Sequence, residues 1–132
     1  MDATEIQKVL ENHSQWLESG SKGERAVLID EDLRGMDFRG SDLRNADFRG
    51  SNFTDANLSG ADLRGANFSQ GSMFAANLQS ALLAQADLTE VDLRRANLKD
   101  ADLSNAEVWR ANLKGCCISP EILHGLLGCT MP

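Results

Sequence analysis

The sequence predicts a repeat protein whose chain bends every five residues around a filled apolar core. From Leu28, apolar side chains recur at every fifth position as far as Ile118, in nineteen consecutive units without an insertion. Two residues before these positions, sixteen of the nineteen residues are Ala, Ser, Gly or Cys, and one residue before them fourteen are Asp or Asn. A period of five matches neither the helical repeat of about 3.6 residues nor the two-residue repeat of a strand. We therefore expect each unit to send one large and one small side chain inward and then to bend.

The polar positions of the unit support the bends. Gly, Asn, Asp and Ser are abundant throughout this segment, and these residues favour turns and weaken helices. Asp and Asn just before the inward residue are expected to bond the local backbone at each bend while their side chains face water.

Units such as SDLRN, ADFRG, ANLSG, ADLRG and ANLKD resemble those of the pentapeptide repeat family, whose unit is small, Asp or Asn, Leu or Phe, polar, variable. The resemblance covers residues 26–119. It implies an all-β fold, a right-handed quadrilateral β-solenoid with one pentapeptide on each side, four per coil and nearly five coils. Successive coils would stack at about 4.8 Å, and residues twenty apart would share a column.

The inward positions form the expected core. Each coil buries four large side chains at about 2 kcal/mol apiece, less than the entropy cost of ordering the coil, so each coil depends on its neighbours. The structural core is expected to contain Leu28, Phe38, Phe48, Phe53, Leu63, Phe68, Met73, Leu83, Leu93, Leu103 and Leu113.

The first segment, residues 1–25, is predicted to be an N-terminal capping helix and a linker. Thr4 and Gln7 have the spacing of a capping box, and apolar residues recur at helical spacing from Ile6 to Leu17. His13 lies on this apolar side, where a packed and hydrogen-bonded histidine is expected in preference to a catalytic one. We expect the helix to lie across the first coil of the solenoid.

Residues 26–118 form the predicted solenoid, and residues 119–132 a C-terminal capping helix and tail. Ser119 followed by Pro120 is a strong helix start. The helix is expected to lie across the last coil. Pairing of this helix with its copy is the alternative, so the chain is expected to be a monomer or a homodimer through its C-terminal end.

Composition and charge narrow the classes of partner. The chain has 20 acidic and 13 basic residues, a net charge of −7, whereas nucleic-acid and anionic-membrane binders need basic surfaces. No apolar run approaches the roughly 20 residues of a membrane span, and the first residues lack the features of a signal peptide. A cytoplasmic protein that binds neither nucleic acid nor membrane is expected.

Catalytic and metal sites are not indicated. His13 and His124 are the only histidines and each falls in a predicted capping helix. Cys117, His124 and Cys129 match no zinc spacing and lack a fourth ligand, and Cys116 occupies an inward position as a small buried thiol. We therefore predict a protein that is not an enzyme, with no catalytic residues, no metal and no cofactor.

Outward positions are where a partner would bind. Arg follows many of the inward residues and Asp precedes them, which makes either a solvated mixture of charges or a charged stripe for a partner. Few outward residues are apolar: Ile29 and Trp109 lie where a capping helix can cover them, while Phe74 and Leu82 lie on opposite sides of a middle coil. Arg94 follows Phe74 by one coil and can form a cation–π contact with it. The candidate protein-contact surface comprises Phe74, Arg94, Arg34, Arg39, Arg44, Arg49 and Leu82.

These observations favour a non-enzymatic module that binds an unidentified partner protein through a solenoid face. The resemblance implies an alternative, because some acidic members of the family imitate DNA and bind DNA gyrase, inhibiting it or protecting it from quinolones. Residues 26–118 contain 14 acidic and 10 basic residues, so the arginines interrupt any continuous negative stripe. Gyrase is therefore the less favoured partner.

Overall fold

The computed structural model describes residues 1–128, in which two helices flank a long segment of regular turns. Helix α1 spans Ala3–Ser19 and helix α2 spans Pro120–Leu126. Neither is long and apolar enough among the described residues to cross a bilayer.

Coils of twenty residues stack in parallel between the two helices. Single-residue parallel bridges join residues twenty apart, from Val27 with Asp47 to Asn97 with Cys117. Within residues 1–128 the pairing consists of such bridges, so the β structure expected from the sequence takes the form of isolated contacts, not extended strands. The reason is the turn after each bridge, where the chain changes direction although the bend residue still donates to the next coil, as the Asn45 N–H does to the Arg64 carbonyl at 3.0 Å.

Each bend is a four-residue turn whose third residue is left-handed. Twelve residues other than glycine have positive φ at this position, among them Asn45 with a φ of 62°. The turn closes with a backbone bond such as that from the Ala46 N–H to the Leu43 carbonyl, at 3.1 Å. The preceding Asp or Asn also accepts a bond from the backbone two residues on, as Asn67 Oδ1 does from the Ser69 N–H at 2.9 Å. These bonds are the local role that the sequence predicts for Asp and Asn.

The four pentapeptides of a coil occupy four sides, which we number in chain order by their inward residues. Side one carries Leu28, Phe48, Phe68, Leu88 and Val108. Side two carries Leu33, Phe53, Met73, Leu93 and Leu113. Side three carries Phe38, Leu58, Leu78, Leu98 and Ile118, and side four carries Leu43, Leu63, Leu83 and Leu103.

Large side chains fill the axis of the solenoid. The expected core residues are buried, with the exception of Leu113, which is only half-buried. Four of the five phenylalanines meet inside; Phe48 and Phe68 stack with ring centroids 5.2 Å apart, and Phe53 packs edge-on against both. Such aromatic pairs add to the burial of apolar area in the first coils.

Helix α1 covers the first coil and is tied to it by His13. The helix begins earlier than the expected Thr4–Gln7 capping box, because Asp2 is the N-cap and its carboxylate accepts from the Glu5 N–H at 2.8 Å. The His13 ring is fully buried; its Nδ1 accepts from the Ala26 N–H at 2.8 Å and its Nε2–H donates to the Arg44 carbonyl, 3.0 Å away. The histidine thus connects α1 to two successive passes of the chain.

The C-terminal end of the stack is covered less completely. Helix α2 starts at the Ser119 cap, has seven residues and leaves the inward side chains of the last coil half-buried, which explains the exposure of Leu113. Trp109 is 65% exposed and Ile29 is 40% exposed, so neither is covered by a helix as the sequence suggested. Association of two copies through this end stays a prediction.

Candidate functional site

Four arginines of the expected contact surface lie on four different sides. Because each five-residue step turns the chain onto the next side, Arg34, Arg39, Arg44 and Arg49 occupy sides two, three, four and one respectively. They cannot act as one stripe, and this part of the sequence-based surface is not brought together.

Each of these arginines is instead bound to the aspartate two residues before it. Arg34 holds Asp32 through its Nε and Nη2 atoms, both at 2.8 Å. Arg39 and Arg44 bind Asp37 and Asp42 in the same way. The contact lowers the pKa of Asp32 to about 2, chiefly through the hydrogen bonds from Arg34. Most of these pairs are well exposed, so they contribute little to stability and neutralise one another.

Leu82 stands alone on side four. Its side chain is 37% exposed, and the residues bridged to it in the neighbouring coils are Asp62 and Asp102. A single exposed leucine between two carboxylates is an ordinary surface residue, and the structure places it on the side opposite Phe74.

Phe74 has a different setting. It is the one phenylalanine at an outward position, lies half-buried on side two, and has the Arg94 guanidinium carbon 5.2 Å from its ring centroid. The cation–π contact expected from the twenty-residue spacing is therefore present. Arg95 adds a second guanidinium at 6.0 Å.

Two residues of this neighbourhood were missed by the sequence analysis. Arg95 lies beside Arg94 at the bend, and Lys114 lies one coil further along the column of Phe74 and Arg94. The sequence contains the signal, since residue 114 is twenty residues after 94 and residue 95 adjoins it. We call Phe74, Arg94, Arg95 and Lys114 the side-two patch.

Groups suited to catalysis do not converge among residues 1–128. Three or more histidine, cysteine or acidic side chains able to hold a metal are not found together there, and Cys129 of the sequence-based trio lies outside the described residues. Cys116 and Cys117 are unpaired thiols, and burial raises the pKa of Cys116. A cleft of about 580 Å³ between the last coil and α2 brings Asp102 and Glu121 to its wall without a histidine or a cysteine.

Comparison with known proteins gives the family. A family model described as pentapeptide repeats matches residues 32–70 and 72–115, in eight copies. The chain belongs to the pentapeptide repeat family. Its fold is accordingly the right-handed β-solenoid with capping helices that the resemblance implied. A search of curated protein sequences found no match.

Solved structures of pentapeptide repeat proteins are similar to this chain. HetL from the cyanobacterium Nostoc sp. PCC 7120, involved in heterocyst differentiation regulation, is 36% identical with a TM-score of 0.64, over 70% of this chain and 47% of HetL. The protein alr5209 from the same cyanobacterium is 28% identical with a TM-score of 0.59, over 74% of each chain. Rfr23 from Cyanothece 51142 is 20% identical with a TM-score of 0.60, over 84% of this chain and 96% of Rfr23, and shows the fold alone. The chain thus spans about half the length of HetL.

Proposed function

We propose that this protein is a non-enzymatic interaction module that binds a partner protein through side two of its solenoid. The observation that carries the proposal is Phe74. An aromatic side chain occupies an outward position that elsewhere in the middle coils is mostly polar, and two guanidinium groups contact it.

Aromatic and arginine side chains are enriched among the residues that dominate protein interfaces. The stacked arginines hold the Phe74 ring against the solenoid wall, so little side-chain freedom would be lost on binding. The rigid backbone ladder beneath the patch keeps these residues in place, which is the preorganisation that a binding surface needs.

Gyrase mimicry receives less support from the geometry. A DNA mimic needs carboxylates spaced like phosphates along one side. Here the carboxylates of Asp32, Asp62 and Asp92 are each neutralised by an arginine of the same unit. A gyrase supercoiling assay, with and without a quinolone, tests this alternative directly, and we expect no effect of the protein in either condition.

The proposal is tested by cross-linking from all four sides. A photoactivatable benzoylphenylalanine is placed in turn at Ser69, Phe74, Gln79 and Ala84, which occupy equivalent outward positions on the four sides of adjacent coil segments. In extract of the native cell we expect one dominant cross-linked protein from position 74 and none of that protein from the three matched positions. Equal cross-linking from all positions, or no cross-link from position 74, would contradict the proposal.

A further inference from the structure

Two of the cations around Phe74 are held by no carboxylate. An arginine directly after an inward residue is held by the aspartate of its own unit, and Arg94 follows this rule with Asp92 at 2.8 Å. Arg95 and Lys114, like Lys99 and Arg110 elsewhere on the solenoid, are exposed and make no ion pair with any of the described carboxylates. Two positive charges therefore remain available to a ligand.

The local charge on this part of side two is positive, opposite in sign to the net charge of the chain. The chain carries a net charge of −7. The patch and its bridged neighbours Asp92 and Asn112 contribute three cations and one carboxylate, a local excess of two positive charges. Of the other acids on side two, Glu31 and Asp32 lie three coils before the unit of Arg94, with Asp32 neutralised by Arg34, and Asp55 lies two coils before Arg95. A local reversal of this kind attracts an anionic group to one place and repels it from the rest of the surface.

The backbone ladder holds these two cations in adjacent coils. The Arg95 N–H donates to the Lys114 carbonyl at 3.1 Å. The Arg95 side chain lies beside Gly115, where an added Cβ would be 3.7 Å from the Arg95 Cγ, an ordinary van der Waals contact. Phe74 precedes Arg94 by one coil in the same column, and its half-buried ring lies under the Arg94 and Arg95 guanidinium groups, so it adds apolar surface beside the cations.

We infer that the side-two patch binds an acidic segment of a partner protein, with Arg95 and Lys114 pairing its carboxylates and Phe74 receiving an adjacent apolar side chain. This inference rests on the proposed function and names the chemistry of the partner. A protein segment suits the patch better than nucleic acid. A long polyanion would extend beyond the three cations onto carboxylate-rich surface, whereas a few carboxylates beside an apolar residue match the size of the patch.

The test is selection of a library of random short peptides on the wild-type protein, followed by affinity measurement on two charge-reversed variants. The first variant carries Arg95→Glu and Lys114→Glu. The matched control carries Lys8→Glu and Lys99→Glu, which change the net charge equally but lie on α1 and on side three. All four residues are exposed, so both variants are expected to keep the wild-type circular dichroism and urea midpoint.

We expect the selected peptides to be enriched in Asp and Glu over the unselected library. Their affinity should fall about tenfold or more in the Arg95→Glu, Lys114→Glu variant and stay within about twofold in the control, because only the former turns local attraction into repulsion. Raising the salt concentration should weaken binding to the wild type as well.

Three outcomes overturn the inference: no enrichment of acidic residues, equal loss of affinity in both variants, or an oligothymidylate that binds as tightly as the peptides. Failure of the inference is distinguishable from failure of the proposed function. If the cross-link from position 74 forms equally in the wild type and in the Arg95→Glu, Lys114→Glu background, side two binds a protein and the acidic segment is wrong. If no protein is cross-linked from that position, the proposed function itself fails.

Discussion

Replacing His13 with leucine removes a side chain that hydrogen-bonds helix α1 to two passes of the solenoid backbone. The ring is fully buried, and both its nitrogens are used: Nδ1 accepts from the Ala26 N–H at 2.8 Å and Nε2–H donates to the Arg44 carbonyl at 3.0 Å. Leucine has a similar size and suits an apolar helix face, so the substitution mainly deletes these two bonds and the stacking of the ring on Trp16.

The size of the effect follows from the two backbone groups left without partners. A buried donor or acceptor that loses its hydrogen bond costs about 1–3 kcal/mol, so the loss of two such bonds is expected to cost about 2–6 kcal/mol of stability. For a chain of this size about 4 °C of melting temperature corresponds to each kcal/mol, and the expected decrease is about 8–24 °C. Gln7→Leu, on the exposed surface of the same helix, is the matched control and should change the melting temperature little.

Lowering the pH should also destabilise the protein, because it protonates His13. Burial is the largest cause that lowers the pKa of His13, against smaller raising effects of the Arg44 carbonyl and Asp42; Arg25 and Arg44 also lower it. Because the folded pKa lies below the unfolded one, the histidine contributes its stability above about pH 6.5. That contribution decreases as the pH falls below this value, by at most about 1.4 kcal/mol per pH unit. Protonation of Nδ1 abolishes its capacity to accept from the Ala26 N–H.

Urea unfolding between pH 7.5 and 5.5 measures both effects, followed by Trp16 fluorescence in a Trp109→Phe background. Amide hydrogen exchange at Ala26 reports the bond directly, and this amide should lose protection in the variant and in acid. If His13→Leu melts like the wild type, or if both proteins lose the same stability over this pH range, the histidine does not hold the helix in the way described.

Three further predictions concern the solenoid itself. Leu63→Arg places a charge in a middle coil where Leu63 has no exposed surface, and it should abolish the cooperative urea transition because an unpaired buried charge costs several kcal/mol; Arg64→Ala, one position outward, should keep it. Ser51→Ala should cost about 1–3 kcal/mol in the same assay, since the buried Ser51 hydroxyl donates to the Leu28 carbonyl and accepts from the Glu31 N–H. Ser41→Ala, at the equivalent inward position on side four, should cost less than about 0.5 kcal/mol, so equal losses would contradict the role of the hydroxyl. An NMR titration should give the Asp32 carboxyl a pKa of about 2, with the charged form favoured above that pH. In Arg34→Ala this pKa should return towards 3.8. An unchanged pKa would show that Arg34 does not hold the carboxylate.

The five-residue period predicts much of this architecture because every unit meets the same physical demand. A large side chain must fill the axis and a left-handed residue must close the turn, and both recur at fixed spacing. The same spacing placed Arg94 over Phe74, since residues twenty apart lie in one column. His13 likewise has the packed, hydrogen-bonded role that its position on the apolar face of α1 indicated.

The sequence-based predictions are wrong where the structure of a residue depends on contacts outside its own five-residue unit. Asp2 and Thr4 are both good N-cap residues, and the carboxylate of Asp2 is the one that reaches a free backbone N–H. Leu113 has the same local sequence pattern as buried residues, but its burial depends on α2, which is too short to cover it. The arginine stripe failed because residues five apart are neighbours in the pattern and lie on different sides in space.

A solenoid of nearly identical units restricts where recognition can occur. The inward side chains are covered by the next coil, and the Asp or Asn of each unit is engaged by its own turn. The first residue after the inward position is free to vary, and the second must adopt the left-handed conformation of the turn. Unusual side chains at these two positions are therefore the informative ones. Phe74 is such a side chain, with Arg95 and Lys114 as unpaired charges in the same columns. Leu82 stands between carboxylates, and Trp109 has one guanidinium group over its ring, that of Arg110 at 5.2 Å, whereas Phe74 has two. The fold requires neither the outward aromatic ring of Phe74 nor the unpaired charges of Arg95 and Lys114, and all three lie on side two. Side two is therefore the surface to test first.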